Sequence, residues 1–333
     1  MSKIPVLVTG GAGYIGSHAV LALKDAGWSV AVIDDLSNGT RGVVPDDVPF
    51  FEGSVADREL VGRVLAEQNI GAIMHFAGSI VVPESVEKPL DYYANNTLAS
   101  HALLTSAVAA GVRHFLFSST AAVYGEPDRV PIDEGDPKQP INPYGASKLM
   151  TERMLSDASA AYPFNCGALR YFNVAGADPQ GRTGQIGKGS THLIKVACEA
   201  AVGKRDHIAV YGTDYPTPDG TCVRDYIHVS DLAAAHVAAL GWLVDHPDQN
   251  LVMNCGYGQG LSVLEVLDAV DRHTNLPIKR VIEGRRAGDP PELVAANARL
   301  LDTLDWRPAY ADIDTIVTHA LAWERKLGEP SAA

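Results

Sequence analysis

The sequence predicts an α/β fold in which a doubly wound parallel sheet is followed by a smaller C-terminal α/β domain. The chain has 333 residues, enough for about two domains. Short runs of β-branched residues alternate with amphipathic stretches, which is typical of parallel strands joined by helices. A glycine-rich turn joins the first run to the first amphipathic stretch. With 46% hydrophobic and 20% charged residues, the composition excludes a disordered or fibrous protein.

The first half of the chain supplies the strands and helices of this sheet in order. Each predicted strand is a short apolar run, and each predicted helix is longer and apolar on one face. We expect about six or seven parallel strands, because a helix near 231–243 and a strand at 253–255 can rejoin the sheet. The other predicted strands cover 6–8, 30–33, 73–75, 115–118 and 168–171, and the other helices cover 14–26, 89–110 and 143–160.

The composition changes after Asn173. The stretches 177–190 and 211–220 are rich in glycine and proline, which is typical of loops. We therefore predict two domains built from discontinuous segments. The first covers 1–173 and is rejoined by segments near 227–257, and the second comprises 174–226 and 258–330.

Charge and cysteine content restrict the partners and the location. The chain carries 27 basic and 40 acidic residues, a net charge of −13, so we expect no nucleic-acid partner. No apolar run approaches the ~18 residues of a membrane helix, so we expect no membrane partner and a cytoplasmic location. The cysteines lack the spacing of a zinc site or a disulfide framework, so no metal is predicted. They are Cys166, Cys198, Cys222 and Cys255.

The glycine-rich turn predicts a dinucleotide site. Gly10, Gly13 and Gly16 lie between the first strand and the first helix, where bare backbone and helix N–H groups can bind a pyrophosphate. Asp34 ends the second strand, 18 residues after Gly16. A carboxylate there binds a ribose 2′-hydroxyl and disfavours a 2′-phosphate, which predicts a Rossmann-type domain for NAD. The alternative is a glycine turn followed by a surface acid.

A tyrosine and a lysine form the candidate chemical centre. Asn142 and Pro143 are good first residues for a helix, which places Tyr144 and Lys148 one turn apart on one face. We expect the ammonium, together with the positive nicotinamide of the cofactor, to lower the pKa of the phenol toward neutrality and make it a general acid–base. Thr120 closes a predicted strand at its carboxyl end, where ligands of such sheets bind. The alternative is a solvated tyrosine beside a surface lysine.

Several motifs give the chain a family resemblance from near residue 4 to about residue 327. It resembles the extended short-chain dehydrogenase/reductases, and DYPTPDGTCVRDYIHV at 214–229 is similar to their epimerase subgroup. The other motifs are TGGAGYIGSH at 9–18, HFAG at 75–78, SSTAAVYG at 118–125, PYGASK at 143–148, RYFN at 170–173 and VRDYIHV at 223–229.

The resemblance implies reversible epimerisation at carbon 4 of UDP-glucose and UDP-galactose, through a transient 4-keto sugar and a bound NAD. It implies that Tyr144 takes the proton of the 4-hydroxyl, that Lys148 lowers the tyrosine pKa and holds the nicotinamide ribose, and that Thr120 assists the proton transfer. The implied cofactor contacts include Gly10, Gly13, Tyr14, Ile15, Gly16, Asp34, Asn38, Gly39, Phe76, Ala77, Gly78, Asn95, Tyr144, Lys148 and Phe172.

The resemblance also implies a set of substrate contacts. Arg224 and Arg286 would hold the diphosphate, although an ion pair between Arg224 and Asp225 is an alternative. His192 either contacts the diphosphate or caps the following helix. The full set is Thr120, Asn173, His192, Ala209, Tyr211, Arg224, Arg286, Asp289 and Leu293. Ser54 and Ile80 depart from the family pattern, in which an acid and a lysine often contact the cofactor.

Two further expectations follow from the resemblance. Leu293 stands where a bulky tyrosine excludes N-acetylated hexoses, so the implied activity extends to UDP-GlcNAc and UDP-GalNAc. Helices 89–110 and 143–160 are those that pair across a twofold axis in the family, which implies a homodimer.

Other functions stay open at this point. A sugar-nucleotide 4,6-dehydratase or UDP-glucuronate decarboxylase has a similar cofactor domain, but dehydration needs an acid pair where this chain has Ala121 and Ala122. A pentose or hexuronate 4-epimerase is a second alternative. A dinucleotide-sensing protein without catalytic activity is a third, because a fold does not fix a function.

Overall fold

The computed structural model describes residues 3–187, 190–286 and 289–328. Its strands are β1 (Val6–Thr9), β2 (Val30–Asp34), β3 (Phe50–Glu52), β4 (Ala72–His75), β5 (His114–Thr120), β6 (Asn165–Tyr171), β7 (Asn173–Ala175), β8 (Ile208–Tyr211), β9 (Val223–His228), β10 (Leu251–Cys255), β11 (Gly260–Ser262), β12 (Arg280–Glu283) and β13 (Glu292–Leu293).

The helices alternate with the strands through the first half of the chain. They are α1 (Tyr14–Asp25), α2 (Arg58–Glu67), α3 (Val82–Glu87), α4 (Pro89–Tyr92), α5 (Ala99–Ala109), α6 (Pro143–Ala161), α7 (Leu193–Ala201), α8 (Val229–Asp245), α9 (Val263–Arg272), α10 (Ala298–Thr303) and α11 (Ile313–Lys326). Short 3₁₀ turns lie at Arg41–Val43 and Ala121–Tyr124, and a π-helical segment, Tyr93–Leu98, joins α4 to α5.

Within the described residues the main sheet has seven strands in the order β10-β6-β5-β4-β1-β2-β3. All of its neighbouring strands are parallel. The order runs outward from β1 in both directions, so helices must cross on both faces of the sheet. This confirms the predicted doubly wound α/β fold.

Apolar side chains cover both faces of this sheet. Val6, Val8 and Val32 belong to a buried cluster with residues of α1 and α8, whereas Leu7 and Ile33 belong to a second cluster with residues of α2, α5 and α6. Strands buried on both faces read as continuous apolar runs, which is why the sequence predicts them well.

The strand β3 and the helix α2 are absent from the sequence prediction. The strand β3 has only three residues, and none of them is fully buried. The helix α2 did carry a signal, because the Asp57 carboxylate accepts hydrogen bonds from the Glu59 and Leu60 backbone N–H groups and caps its first turn. The predicted helix over 89–110 is α4, the π-helical segment and α5 in succession.

A smaller sheet forms beside the carboxyl ends of the main strands. Its central strand β9 pairs with β7, β11 and β13, and β8 pairs with β12 in a separate two-stranded sheet. The edge strand β10 follows β9 in the chain but lies beside β6 in the main sheet. None of the helices in the described part of the chain is long and apolar enough to span a membrane.

Candidate active site

The glycine-rich turn after β1 packs too closely against the backbone to allow side chains at Gly10 and Gly16. Gly10 has a φ of +69°, and a Cβ there would lie 2.6 Å from the Ala77 backbone nitrogen. A Cβ on Gly16 would lie 2.1 Å from the Gly10 carbonyl oxygen. Both contacts are sterically forbidden, so the turn and the start of α1 require glycine at these positions. This geometry fits the pyrophosphate of a dinucleotide.

Asp34 lies at the carboxyl end of β2 with only 7% of its surface exposed. The Ala12 and Leu36 backbone N–H groups donate hydrogen bonds of 2.9 Å to its two carboxylate oxygens. Burial raises the pKa of Asp34, and these two hydrogen bonds oppose that shift. The alternative of a surface acid is therefore wrong, and each carboxylate oxygen keeps a second lone pair for a ribose hydroxyl.

A cleft of about 620 Å³ opens between the glycine-rich turn and the ends of β2 and β4. Nine of the predicted cofactor contacts line it, namely Gly10, Gly13, Asp34, Asn38, Gly39, Phe76, Ala77, Gly78 and Asn95. The lining residues that the sequence analysis did not predict as contacts are Ile33, Asp35, Ser37, Gly53, Ser54 and Val55. Ile80 does not line the cleft and is half exposed.

Six predicted cofactor contacts lie outside this lining, namely Tyr144 and Lys148, which are described below, and Tyr14, Ile15, Gly16 and Phe172. Tyr14, Ile15 and Gly16 are in the first turn of α1, and the Tyr14 hydroxyl donates a 2.7 Å hydrogen bond to the Gly176 carbonyl. Phe172 is buried between β6 and β7, in a cluster with Ala121.

The three predicted catalytic residues meet where β5 ends and α6 begins. Thr120 ends β5, and Tyr144 and Lys148 lie one turn apart on α6, whose first turn is capped by the Asn142 side chain at 2.9 Å from the Gly145 nitrogen. Tyr144, Lys148 and Thr120 are all buried. The alternative of a solvated tyrosine beside a surface lysine is therefore wrong.

Lys148 faces the end of β5 and the cleft. Its Nζ donates a 3.1 Å hydrogen bond to the Ser118 carbonyl and lies 4.8 Å from the centre of the Phe117 ring. A Cβ on Gly78, which lines the cleft, would lie 3.9 Å from this Nζ. The ammonium is thus close to Gly78, although Lys148 itself is not among the residues that line the cleft.

The predicted lowering of the Tyr144 pKa involves Lys148 and the bound cofactor together and stays a prediction, and the chain alone shows the opposite shift. Burial raises the pKa of Tyr144, and the opposing influence comes from the Thr120 side chain. Burial also lowers the pKa of Lys148 to about 8. In the chain alone, desolvation is the main cause of both pKa shifts, and helical spacing does not report it.

Arg224 lies on β9, and its guanidinium is 3.6 Å from the Asp289 carboxylate. Leu293 on β13 is its partner in the strand register. Asp225 does not pair with Arg224, because its carboxylate accepts hydrogen bonds from the Tyr257, Gly258 and Ala295 nitrogens. The alternative of an Arg224–Asp225 ion pair is therefore wrong.

The remaining predicted substrate contacts surround these residues on β7, β8 and nearby loops. The Arg286 guanidinium lies 3.8 Å from the centre of the Tyr211 ring, and Ala209 is on the same strand as Tyr211. Asn173 begins β7 and pairs with Tyr226 of β9.

His192 immediately precedes α7, but its side chain does not cap that helix. Its Nδ1 lies 2.9 Å from the Gln185 amide nitrogen instead, and burial lowers its pKa. The prediction that His192 caps the helix is therefore wrong, and contact with a diphosphate stays a prediction.

Two buried charged residues next to this site were missed from the sequence. Glu152 and Arg170 form an ion pair of 2.6 Å behind Thr120 and Lys148. A signal existed for Glu152, which lies one turn beyond Lys148 on the same face of α6. Among the described residues, no cluster of three His, Cys, Asp or Glu side chains is placed to hold a metal ion.

The comparison with known families agrees with this arrangement of cofactor cleft and catalytic residues. The model of the NAD dependent epimerase/dehydratase family matches residues 6–256. The chain belongs to this family. Membership in the family accounts for the glycine-rich turn after β1 and for the buried Asp34 at the end of β2, which together fit NAD.

Relatives within the family cover almost the whole chain. A UDP-glucose 4-epimerase of Azospirillum brasilense is 57% identical over 322 residues, which are 97% of this chain and 92% of that protein. A UDP-glucose 4-epimerase structure from Bifidobacterium longum, in complex with NAD⁺ and UDP, has a TM-score of 0.91 and 40% identity, and the match covers 97% of this chain and 98% of that one. The UDP-Glc/GlcNAc 4-epimerase of Campylobacter jejuni has a TM-score of 0.84 and 43% identity, with 97% and 100% covered.

Proposed function

We propose that this enzyme interconverts UDP-glucose and UDP-galactose by epimerisation at carbon 4, with NAD as a bound cofactor. The observation that carries the proposal is the buried meeting of Tyr144, Lys148 and Thr120 beside the cleft at the carboxyl edge of the sheet. Relatives named UDP-glucose 4-epimerase that match nearly the full chain support the choice of substrate.

Tyr144 is the proposed general base, and Thr120 is the proposed residue that assists the proton transfer to it. NAD, when bound, would supply the hydride-transfer chemistry at carbon 4 of the sugar. Both side chains are buried, which limits the access of water to the proton that Tyr144 takes from the sugar hydroxyl. Lys148 holds the nicotinamide ribose and contributes positive charge close to Gly78.

The proposed diphosphate contacts are two arginines on separate segments. Arg224 and Arg286 can each present a planar fork of N–H donors to a phosphate, which suits an acidic protein that must bind a dianion. Asp289, whose carboxylate lies 3.6 Å from the Arg224 guanidinium, is the proposed acceptor of a hydrogen bond from the uridine ribose. Ala209 and Tyr211 are the proposed walls for the uracil ring.

A specific feature disfavours the dehydratase reaction of the same family. Elimination of water from the sugar needs an additional acid and base, and this chain has Ala121 and Ala122 directly after Thr120. Ala121 is buried in an apolar cluster with Val123, Tyr124 and Phe172. The simple return of hydride is the reaction that these surroundings allow.

The test is turnover of UDP-galactose without added nicotinamide, comparing wild type with Tyr144→Phe. We expect UDP-glucose to form with the wild type and the rate to fall by about 10³-fold in the variant, since the proton acceptor is lost. Tyr162→Phe is the matched control, because Tyr162 follows the same helix at its exposed far end. Full activity of Tyr144→Phe, or no turnover by a wild type that binds NAD and UDP, would refute the proposal. UDP-pentoses and UDP-hexuronates in the same assay test the alternative 4-epimerases.

We further propose that each of the two predicted domains binds one of the two ligands. Residues 1–173 with 227–257 would hold NAD, and 174–226 with 258–330 would hold the UDP-sugar. The position of β10 in the main sheet supports this interleaved division. Hydrogen exchange should show NAD protecting the first set and UDP protecting the second, and the reverse pattern would contradict it.

A homodimer is the proposed assembly. The segment from α4 to α5 packs against α6, and side chains on the outer side of this pair are apolar and exposed, including Leu90 at 78% and Leu98 at 65%. We expect sedimentation as a dimer at micromolar concentration and as a monomer after Leu98→Glu. Leu276→Glu, at an equally exposed leucine elsewhere, is the control. A wild-type monomer would contradict the proposal.

We also propose a cytoplasmic location. The four cysteines are free and buried, which suits a reducing compartment. Cell fractionation with an antibody against the protein tests this, and recovery outside the cytoplasmic fraction would contradict it.

A further inference from the structure

A buried ion pair lies directly behind the catalytic residues. Glu152 on α6 and Arg170 on β6 have side-chain exposures of 8% and 5%. The Arg170 guanidinium donates from Nε to Oε1 at 2.9 Å and from Nη2 to Oε2 at 2.6 Å, so the pair is bidentate. A bidentate pair constrains both the separation and the orientation of the two elements that carry it.

The remaining polar atoms of this pair hold two further segments. The Ser119 hydroxyl donates to Glu152, and Ser119 and Arg170 are also register partners on β5 and β6. The Arg170 Nη1 donates a hydrogen bond of 2.9 Å to the Tyr124 hydroxyl. That hydroxyl in turn donates a hydrogen bond of 2.7 Å to the Asn254 Oδ1 on β10. The network therefore ties α6 to β5, β6, β10 and the turn that follows Thr120.

Three members of the network, Glu152, Ser119 and Arg170, are near neighbours in sequence of proposed active-site residues. Glu152 is one helical turn beyond Lys148 and two turns beyond Tyr144. Ser119 directly precedes Thr120, and Arg170 lies two residues before Phe172. Glu152 on α6 is hydrogen-bonded to Ser119 on β5 and to Arg170 on β6. The placement of Tyr144 on α6 relative to Thr120 on β5 thus depends on these hydrogen bonds.

We propose that Glu152 and Arg170 are positioning residues, which hold the Tyr144 and Thr120 hydroxyls in register for proton transfer at carbon 4. The proposal rests on the proposed function. Desolvation of two buried charges offsets most of their attraction, so an apolar pair of similar size would stabilise the fold equally well. What the ion pair adds is fixed geometry, and a misplacement of about 1 Å between reacting groups can cost a rate factor of about 100.

The experiment compares Glu152→Asp with the double variant E152Q/R170Q. Glu152→Asp keeps the charge but withdraws the carboxylate by one methylene, so we expect kcat to fall about 10-fold or more while KM for UDP-galactose changes less than about twofold. The double variant leaves no unpaired buried charge, so we expect it to unfold near the wild-type temperature with a similarly reduced kcat. Ser119→Ala removes one hydroxyl only and should lower kcat by a smaller factor.

Glu324→Gln is the matched control. Glu324 forms another buried ion pair, with Lys195, between α7 and α11. We expect this variant to lose thermal stability and to retain the kcat of the wild type at a temperature where both are folded.

Two outcomes would overturn the positioning role. One is a kcat within about twofold of wild type in both folded Glu152→Asp and folded E152Q/R170Q. The other is a decrease in kcat in every variant, including Glu324→Gln, that is fully explained by the decrease in the folded fraction measured by circular dichroism. Failure of the proposed function would be visible separately, because the wild type itself would not convert UDP-galactose.

Discussion

At the scale of single residues, Tyr144 works in an environment that opposes its ionisation. Burial raises the pKa of its phenol, and burial also lowers the pKa of Lys148 to about 8. Two groups that stabilise each other's charged forms would have shifted in the opposite directions. In the chain without ligand the phenol of Tyr144 therefore stays protonated. The positive charge that lowers its pKa has to come from a ligand bound beside it.

This can be measured by spectrophotometric titration of the protein stripped of NAD. We expect Tyr144 to ionise only at a higher pH than an exposed tyrosine does, because desolvation disfavours the anion. The signal of Tyr144 is the difference between wild type and Tyr144→Phe. A phenolate that appears near neutral pH in the stripped protein would contradict the expectation.

A second residue-scale prediction concerns Leu293 and the choice of sugar. Leu293 is partly buried, lies in register with Arg224 and packs on the cluster that contains Phe172. We expect wild type to epimerise UDP-GlcNAc, and Leu293→Tyr to reduce kcat/KM for UDP-GlcNAc by about 10-fold or more, because the larger ring takes the space of the acetamido group. Activity on UDP-galactose should change much less. Leu276→Tyr, at an exposed leucine, is the control. If wild type does not turn over UDP-GlcNAc, Leu293 is not the limit on sugar size.

At the scale of elements, the start of α6 is fitted closely to the turn after β5. A Cβ on Gly145 would lie 2.5 Å from the Ala122 carbonyl oxygen, a backbone atom that cannot move aside. We expect Gly145→Ala to push α6 away from the turn and to reduce kcat about 100-fold, because Tyr144 moves relative to Thr120.

Gly62→Ala is the matched control for this helix variant. Gly62 lies inside α2, and a Cβ there meets no atom within 4 Å. Alanine should stabilise this helix by about 1 kcal/mol through its higher propensity, with no effect on kcat. Equal kcat values for Gly145→Ala and Gly62→Ala would contradict the fit described above.

The elements also show where prediction from the sequence succeeds. The glycine-rich turn, Asp34 and the pair Tyr144 and Lys148 are each defined by spacing within one or two adjacent elements, so their local geometry follows from the chain itself. The strands β1, β2, β4, β5 and β6 of the main sheet are buried on both faces, and their continuous apolar runs identify them.

Other features depend on contacts between distant segments and could not be predicted. The ion pair between Arg224 and Asp289, and the network from Glu152 through Arg170 to Asn254, form only after the sheets assemble. The raised pKa of Tyr144 is a consequence of burial, which helical spacing does not report. β3 is too short and too exposed to carry an apolar signal.

At the scale of the whole molecule, buried histidines make the stability depend on pH. Burial lowers the pKa of His18 and His236 to about 4 and the pKa of His75 and His228 to about 3. Below about pH 6.5 the unfolded chain binds protons on these residues and the folded chain does not, so stability falls as the pH falls. Asp225 acts in the opposite direction, because burial raises its pKa to about 6 and the folded protein then binds the proton between that value and 3.8.

We expect the free energy of unfolding to be about 4 kcal/mol lower near pH 5.5 than near pH 7, since four histidines outweigh one aspartate. Urea denaturation at several pH values measures this. In His236→Leu the number of protons taken up on unfolding near pH 5.5 should decrease by about one. A stability that is constant, or that rises as the pH falls, would contradict the prediction.

The position of β10 has a consequence for biosynthesis. β6 forms an open edge of the main sheet until residues 251–255 have left the ribosome, which is after the segments that build β7, β8 and β9. An unpaired strand edge is a template for association with other chains. Nascent polypeptides that stop before residue 251 are therefore expected to aggregate or to recruit chaperones, whereas those released after β10 can close the sheet unaided.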